Sequence, residues 1–185
     1  MKNRVITISR EFGSGGRTIG KLVAQKLGIP CYDYEIISKI AEESGFSKEY
    51  IENEAEKTSY FRPYGMMSNQ DYMWTIQIET ILELAKKGSC VIVGRCADYV
   101  LKDRADCLNV FIHSSFEKRA ERIVKEYGET EVPTEKRLKD KDKKRASYYQ
   151  YYTDKKWGDY RNYHLALDSG ELGIEKCVEI IADLY

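Results

Sequence analysis

VITISREFGSGGRTIGKLVAQKL, residues 5–27, reads as a strand, a glycine-rich loop and a helix in immediate succession. Val5-Ile6-Thr7-Ile8 is β-branched throughout and bounded by polar residues, the pattern of a short buried strand. From Thr18 onward, Ile19, Leu22, Val23 and Leu27 recur at helical spacing, and Gly28 with Pro30 ends the helix. Working outward, a second strand is expected at Ile29–Tyr32 and a helix at Ile36–Ser44. Residues from about Lys48 to Met73 are polar, aromatic and weakly periodic, which predicts short helices and loop. Trp74–Lys87 carries an apolar face of Ile78, Ile81, Leu82 and Ala85, and Cys90–Val93 follows as a third buried strand running into Gly94-Arg95. A short helix near Ala97–Leu101 and a fourth strand at Cys107–Ile112 come next; a capping box at Ser114–Glu117 would open a helix reaching Tyr127. A strand at His164–Leu167, a turn at Asp168–Gly173 and a helix at Ile174–Leu184 complete the pattern. Strands and helices alternating at these lengths predict an α/β fold with a doubly wound, mostly parallel sheet, and 185 residues suit one domain.

Charge narrows the function classes. Thirty Lys and Arg balance thirty Asp and Glu, which argues against a nucleic-acid coat or a polyanionic tail. The balance is a sum of opposed regions. Glu135–Arg161 holds ten Lys and Arg against five Asp and Glu, whereas Glu42–Lys57 holds six Glu against two Lys. No stretch reaches the ~20 apolar residues of a spanning helix, and no leader pattern is evident, so a soluble, cytoplasmic protein is expected. Five scattered cysteines without a Cys-x-x-Cys pair, and two isolated histidines, His113 and His164, make a zinc enzyme or a Ser-His-Asp hydrolase hard to build. Nothing in the pattern dictates an oligomeric state.

The loop between the first strand and helix carries the chemistry. Glycines let backbone N–H groups turn toward an anion, and the helix N-terminus adds its positive end. The phosphate-loop pattern G-x-x-x-x-G-K-[ST] is met incompletely, in either of two registers. The preferred one places Arg17 at the lysine and Thr18 at the Mg²⁺ hydroxyl, with Glu11 at the first glycine. The other starts at Arg10 and puts Gly16 at the lysine and Arg17 at the hydroxyl.

Four blocks together resemble the cytidylate kinase-like branch of the P-loop nucleoside monophosphate kinases: ISREFGSGGRTIGKLVAQKLGIPCYDYEII at 8–37, VIVGRCADYVL at 91–101, LNVFIHSSFEKRAERI at 108–123 and DKDKKR at 140–145. The resemblance implies a P-loop NTPase-type sheet with a helical acceptor-side insertion at about 38–75 and a basic lid at about 127–162. It implies ATP and Mg²⁺ as cofactors, with Gly13, Ser14, Gly15, Gly16, Arg17 and Thr18 holding the donor phosphates and Thr18 the metal. Tyr32 and Asp33 look like the start of the acceptor site, and Arg95 like the arginine that grips an acceptor monophosphate. Asp142 and Arg145 look like a lid pair contacting acceptor sugar or base and phosphate; Lys141 falls where a lid arginine is expected. Arg119 and Arg122 lie on the helix leading into that lid. Arg17, Arg95, Lys141 and Arg145 are thus the expected catalytic cations, because phosphoryl transfer depends on positioning and on positive charge around the transferring group.

Three departures separate this chain from cytidylate kinases: the loop lysine is missing, Val93 and Cys96 replace expected acidic residues around Gly94-Arg95, and the segment after Asp33 lacks the family's acceptor pattern. Asp33 is a candidate to take over Mg²⁺ or acceptor duties. The expected activity is ATP-dependent phosphorylation of a small phosphate-bearing acceptor, first a nucleoside monophosphate such as CMP or dCMP. The alternatives are a kinase for a non-nucleotide metabolite and a non-catalytic nucleotide sensor. The tyrosines of Ser147–Thr153, with Trp157 and Tyr160, are expected to pack the lid onto the core rather than to form a base pocket.

Overall fold

The computed structural model describes residues 4–54, 68–103 and 106–185. Strands β1 (Val5–Arg10), β2 (Cys31–Tyr32), β3 (Cys90–Val93), β4 (Cys107–His113) and β5 (Leu165–Asp168) form one sheet in the order β2-β3-β1-β4-β5. Every pairing is parallel, as the strand–helix alternation predicts. Helices α1 (Gly16–Leu27), α2 (Tyr34–Ser44), α3 (Lys48–Glu54), α4 (Asn69–Lys87) and α5 (Ala97–Val100) serve the first half of the chain. The second half adds α6 (Phe116–Tyr127), α7 (Thr134–Thr153), α8 (Ser169–Leu172) and α9 (Ile174–Asp183), with a 3₁₀ turn at Tyr160–Asn162.

Successive strand residues face opposite sides of a sheet, and here both sides are covered. Ile6, Ile8, Val91 and Val93 pack with Ile19 and Val23 of α1 and Val178 and Ile181 of α9. Their neighbours Val5, Cys90 and Ile92 pack instead with Ile36 and Ile40 of α2 and Ile76 and Ile81 of α4. The central strand β1 has β3 on one side and β4 on the other, so the chain leaves it toward one edge first and returns to fill the other. Such a reversal of strand order opens a crevice beyond the carboxyl ends of the strands, where ligands bind in open α/β sheets. Among the described residues no helix is long and apolar enough to cross a membrane.

Several expected elements differ in detail. Helix α4 starts five residues before Trp74, because Ser68 accepts the Asp71 N–H and Asp71 reaches back to the Ser68 N–H, a capping box that the weak periodicity hides. The expected box at Ser114 and Glu117 does not form. Ser114 donates its N–H to Glu11 Oε2, and the neighbouring Ser115 caps α6 through the Lys118 N–H. The turn at Asp168–Gly173 is a single helical turn, α8, capped by the Asp168 carboxylate on the N–H groups of Gly170 and Glu171. The basic segment is mostly one 20-residue helix, α7. Residues 55–67 of the expected insertion, and with them the end of the acidic stretch, lie outside the described residues.

Candidate functional site

Beyond the end of β1 the chain turns through Glu11–Gly15 into α1. Glu11 donates its N–H to Ile112 O of β4, and the Ser14 hydroxyl bonds back to Glu11 O at 2.9 Å. From below, the buried Ser169 hydroxyl lies 2.5 Å from Ser14 O and 3.1 Å from His113 O. Gly13 and Gly15 both take left-handed backbone angles, φ +82° and +77°, and Gly15 is the residue that caps α1. Only a glycine adopts that geometry without strain, so the spacing of the glycines follows from the tightness of the turn.

The loop borders a cleft of about 290 Å³, lined also by Arg10, Arg17, Thr18, Asp33 and Ile37, by Arg95, and by Arg122, Tyr127, Lys141 and Arg145 of α6 and α7. Six cations face it against the three carboxylates of Glu11, Asp33 and Glu126. A cavity with that balance beside an uncovered helix N-terminus is suited to a polyanion.

Arg95 enters the cleft from an unusual turn. Gly94, Arg95 and Cys96 have φ of +75°, +58° and +54°, two of them residues with side chains. Left-handed backbone costs a non-glycine residue about 1–2 kcal/mol, so surrounding contacts must hold it. One of these is the Gln77 side-chain amide of α4, which donates to Arg95 O at 3.0 Å; another is Gly94 N–H, which donates to Ile8 O.

Helix α7 is fastened to the glycine-rich loop by its polar side. Asp142 Oδ1 accepts the Phe12 N–H at 2.8 Å, and Oδ2 pairs with Arg119 at 2.5 Å. Arg119, itself buried, also donates to Phe12 O at 3.1 Å and lies 3.4 Å from Glu11 Oε2. Arg145 donates to Arg10 O at 3.1 Å and stacks over the Phe12 ring at 5.7 Å. The C-terminal half of α7 is held by rings: Tyr152 stacks on Trp74 of α4 at 4.3 Å, and Tyr148 meets Trp74 edge-on at 5.9 Å. Tyr149 reaches into the core, where its hydroxyl donates to Asp98 Oδ2 at 2.6 Å. Burial pushes the Asp98 carboxyl up, opposed by the bonds from Tyr149 and Ser9, and burial together with the Asp98 charge pushes the Tyr149 phenol far up.

Of the residues expected from sequence, Gly13, Gly15, Gly16, Arg17, Thr18, Asp33, Arg95, Lys141 and Arg145 meet around this one cleft. Ser14, Tyr32 and Asp142 do not line it. Ser14 is buried beneath the loop, Tyr32 packs against the α2–α4 side of the core, and Asp142 spends both oxygens on the loop and Arg119. Arg17 turns away from the loop toward the end of β2, where its Nε lies 2.5 Å from Asp33 Oδ2. Nearby, burial first and then the Asp33 and Glu35 charges push the Cys31 thiol up to about 11. Tyr148, Tyr149, Tyr152 and Trp157 pack α7 onto the core as expected, but Tyr160 does not: it sits on the 3₁₀ turn and is 74% exposed. Tyr148, Tyr149 and Trp157 also wall a narrow pocket behind Arg95. Ile37 and Tyr127, which also line the cleft, are not among the residues expected from sequence, and Arg10 enters there only as the start of the second register, not as a cation; its position as the last residue of β1 is the available signal.

The residues also bear on Mg²⁺. Among the described residues there is no group of three His, Cys, Asp or Glu side chains placed to hold a metal. Mg²⁺ in phosphoryl-transfer sites takes one or two protein ligands and completes its shell with phosphate oxygens and water. Thr18, in the first turn of α1 and lining the cleft, offers a hydroxyl suited to such a shell.

Known proteins resemble this chain over nearly its whole length. Residues 5–171 match the model of the cytidylate kinase-like family. A cytidylate kinase of Archaeoglobus fulgidus is 33% identical over 180 residues, covering 95% of this chain and 91% of that protein. Among solved structures, an uncharacterized protein from Eubacterium ventriosum superposes with a TM-score of 0.77 at 27% identity, covering 98% of this chain and 97% of that one. A shikimate kinase from Bacteroides thetaiotaomicron, with a TM-score of 0.61 at 16% identity over 98% of this chain and 97% of its own, shares the fold. With its loop, strand order and nearly full-length match in agreement, the chain belongs to the cytidylate kinase-like family.

Proposed function

We propose that this protein transfers the γ-phosphoryl group of ATP to a nucleoside monophosphate, with CMP or dCMP as the first candidates. The observation that carries the reading is the cleft itself: a glycine-rich loop capping α1 on one wall, and Arg95, Lys141 and Arg145 on the others. Loop N–H groups and the α1 N-terminus would hold the donor phosphates. Arg95 and Arg145 would grip the acceptor phosphate, and Lys141 would offset charge on the transferring group. An acceptor oxygen attacks the γ-phosphorus as the bond to the ADP oxygen breaks. A monophosphate is already largely dianionic near neutrality, so no general base is needed. Thr18 would hold Mg²⁺, which when bound would supply positive charge to offset that of the donor phosphates. Arg17 and Asp33, as a pair, would border the acceptor side, and Asp142 would position the loop rather than contact substrate. The five cysteines carry free thiols, which fits a reducing, cytoplasmic setting.

Coupled ADP release, measured across the common nucleoside monophosphates, tests the proposal: turnover should depend on one of them, and on CMP first. A second reading, a nucleotide-binding module without transfer, is favoured by the lack of a lysine in the loop. It predicts ATP binding with no acceptor-dependent turnover. A kinase acting on another metabolite would instead show a melting-temperature rise with that compound and none with nucleoside monophosphates.

A further inference from the structure

Resting on that reading, and deepening it, we infer that Arg10 supplies the cation that the phosphate-loop pattern otherwise assigns to a lysine at the start of α1. A side chain at Gly16 would force Arg10 to move. A Cβ there would lie 2.5 Å from Arg10 Cβ, 3.0 Å from Arg10 Cγ and 3.3 Å from Ile112 Cβ. A lysine at the first residue of α1 would therefore clash with Arg10 in its present place at the end of β1. The far end of Arg10 is accommodated by a second glycine, since a Cβ at Gly94 would lie 2.1 Å from an Arg10 guanidinium nitrogen.

Arg10 thus lies with its stem over Gly16 and its head against Gly94, across the cleft floor from the phosphate-facing loop to the turn that carries Arg95. On the proposed function, a phosphoryl group would pass along this line from donor to acceptor. The pattern's register then begins at Arg10. Its first position, normally glycine, holds the cation, and its seventh, normally lysine, holds the glycine. The two residues exchange volume and charge. Arg17, the residue that the other register offers as the substitute, pairs with Asp33 and has a half-exposed side chain. Thr18 brings the metal-binding hydroxyl from one residue beyond the pattern's position. A guanidinium stays charged at any working pH and presents a planar fork of donors, so Arg10 can bond two phosphate oxygens at once.

The test measures ATP and ADP affinity by titration calorimetry, alongside transfer rate and melting temperature, for Arg10→Met, Arg10→Lys, Arg10→Gly, Gly16→Lys and the exchange Arg10→Gly/Gly16→Lys. Arg10→Met should weaken nucleotide binding by about 10- to 100-fold, the range for losing a charged hydrogen-bond donor, and lower transfer further. Arg10→Lys should recover part of the loss. Gly16→Lys alone should lower the melting temperature, and the exchange should recover both stability and nucleotide affinity relative to either single change. If Arg10→Met does not fold, Arg10→Gln provides the neutral stem of similar length. Nucleotide affinity unchanged in Arg10→Met or Arg10→Gln, or an exchange variant no better than Arg10→Gly, would overturn the inference. A parent protein that binds no ATP would refute the proposed function instead.

Discussion

Replacing Asp142 separates a structural clamp from a substrate contact. In Asp142→Ala the Phe12 N–H loses its acceptor and Arg119 loses the nearer of its two carboxylate partners. Breaking one side of a fully buried ion pair costs about 3–5 kcal/mol. The Asp142 side chain is 19% exposed and Arg119 keeps Glu11 at 3.4 Å, so the expected cost is about 2–3 kcal/mol. For a chain of this size each kcal/mol shifts the melting temperature by roughly 2–4 °C, so Asp142→Ala should melt about 5–10 °C below the parent. Asp142→Asn, which keeps a neutral acceptor for Phe12, should lose about half as much. In a double-mutant cycle with Arg119→Met the two losses should be strongly non-additive, as expected for one shared contact. The assay is thermal unfolding followed by circular dichroism, without nucleotide. A melting temperature within about 1 °C of the parent, with acceptor affinity alone reduced, would refute the clamp and return Asp142 to substrate.

Other perturbations follow from the same contacts. Tyr149→Phe removes the phenol that holds the buried Asp98 carboxylate and should cost about 1–3 kcal/mol near neutrality. Burial raises the folded-state Asp98 pKa above its unfolded value, so this group's contribution to stability is full at low pH and is lost as pH rises through the folded value. Losing the Tyr149 donor raises that pKa further; the penalty, read by urea unfolding, should therefore shrink on acidification, and a pH-independent penalty would contradict it. Trp74→Ala removes the stack beneath Tyr152 and should destabilise by about 2–4 kcal/mol, with the loss visible as faster proteolysis within α7. Gly15→Ala places a Cβ 2.5 Å from Ile174 Cδ1 at a left-handed position and should cost about 1–2 kcal/mol or more in stability while weakening ATP binding measured by calorimetry. The Cys31 thiol, raised to about 11, should alkylate with iodoacetamide far more slowly at neutral pH than a free thiol in solution.

The sheet was legible because its strands are short, β-branched and buried on both faces, so Val5–Ile8 and Cys90–Val93 carry a continuous apolar signal. Helix α7 was not, and the reason is physical. Its first twelve residues meet the core mainly through Leu138 and otherwise through the ion pair and hydrogen bonds of Asp142 and Arg145, so no apolar stripe marks them. The cap of α4 was missed for a related reason: Ser68 and Asp71 sit before the apolar period begins. At the site, residue type and position relative to strand ends picked out Arg95 and the glycines. What they could not show is direction. Arg17 points to Asp33 and Asp142 to the Phe12 N–H, choices made by tertiary neighbours far away in the chain. Arg10 does not read as a cation in the sequence because the loop pattern asks for glycine where it stands; the contact between its side chain and Gly16 is visible only in the folded chain.

The most direct measurement follows the γ-phosphoryl group itself. With ATP labelled at that position, Mg²⁺ and CMP or dCMP, the account predicts label appearing in the nucleoside diphosphate, one for each ADP formed, and lost in Arg95→Ala. Label that stays in ATP, or appears only as inorganic phosphate, with every nucleoside monophosphate tried would contradict it.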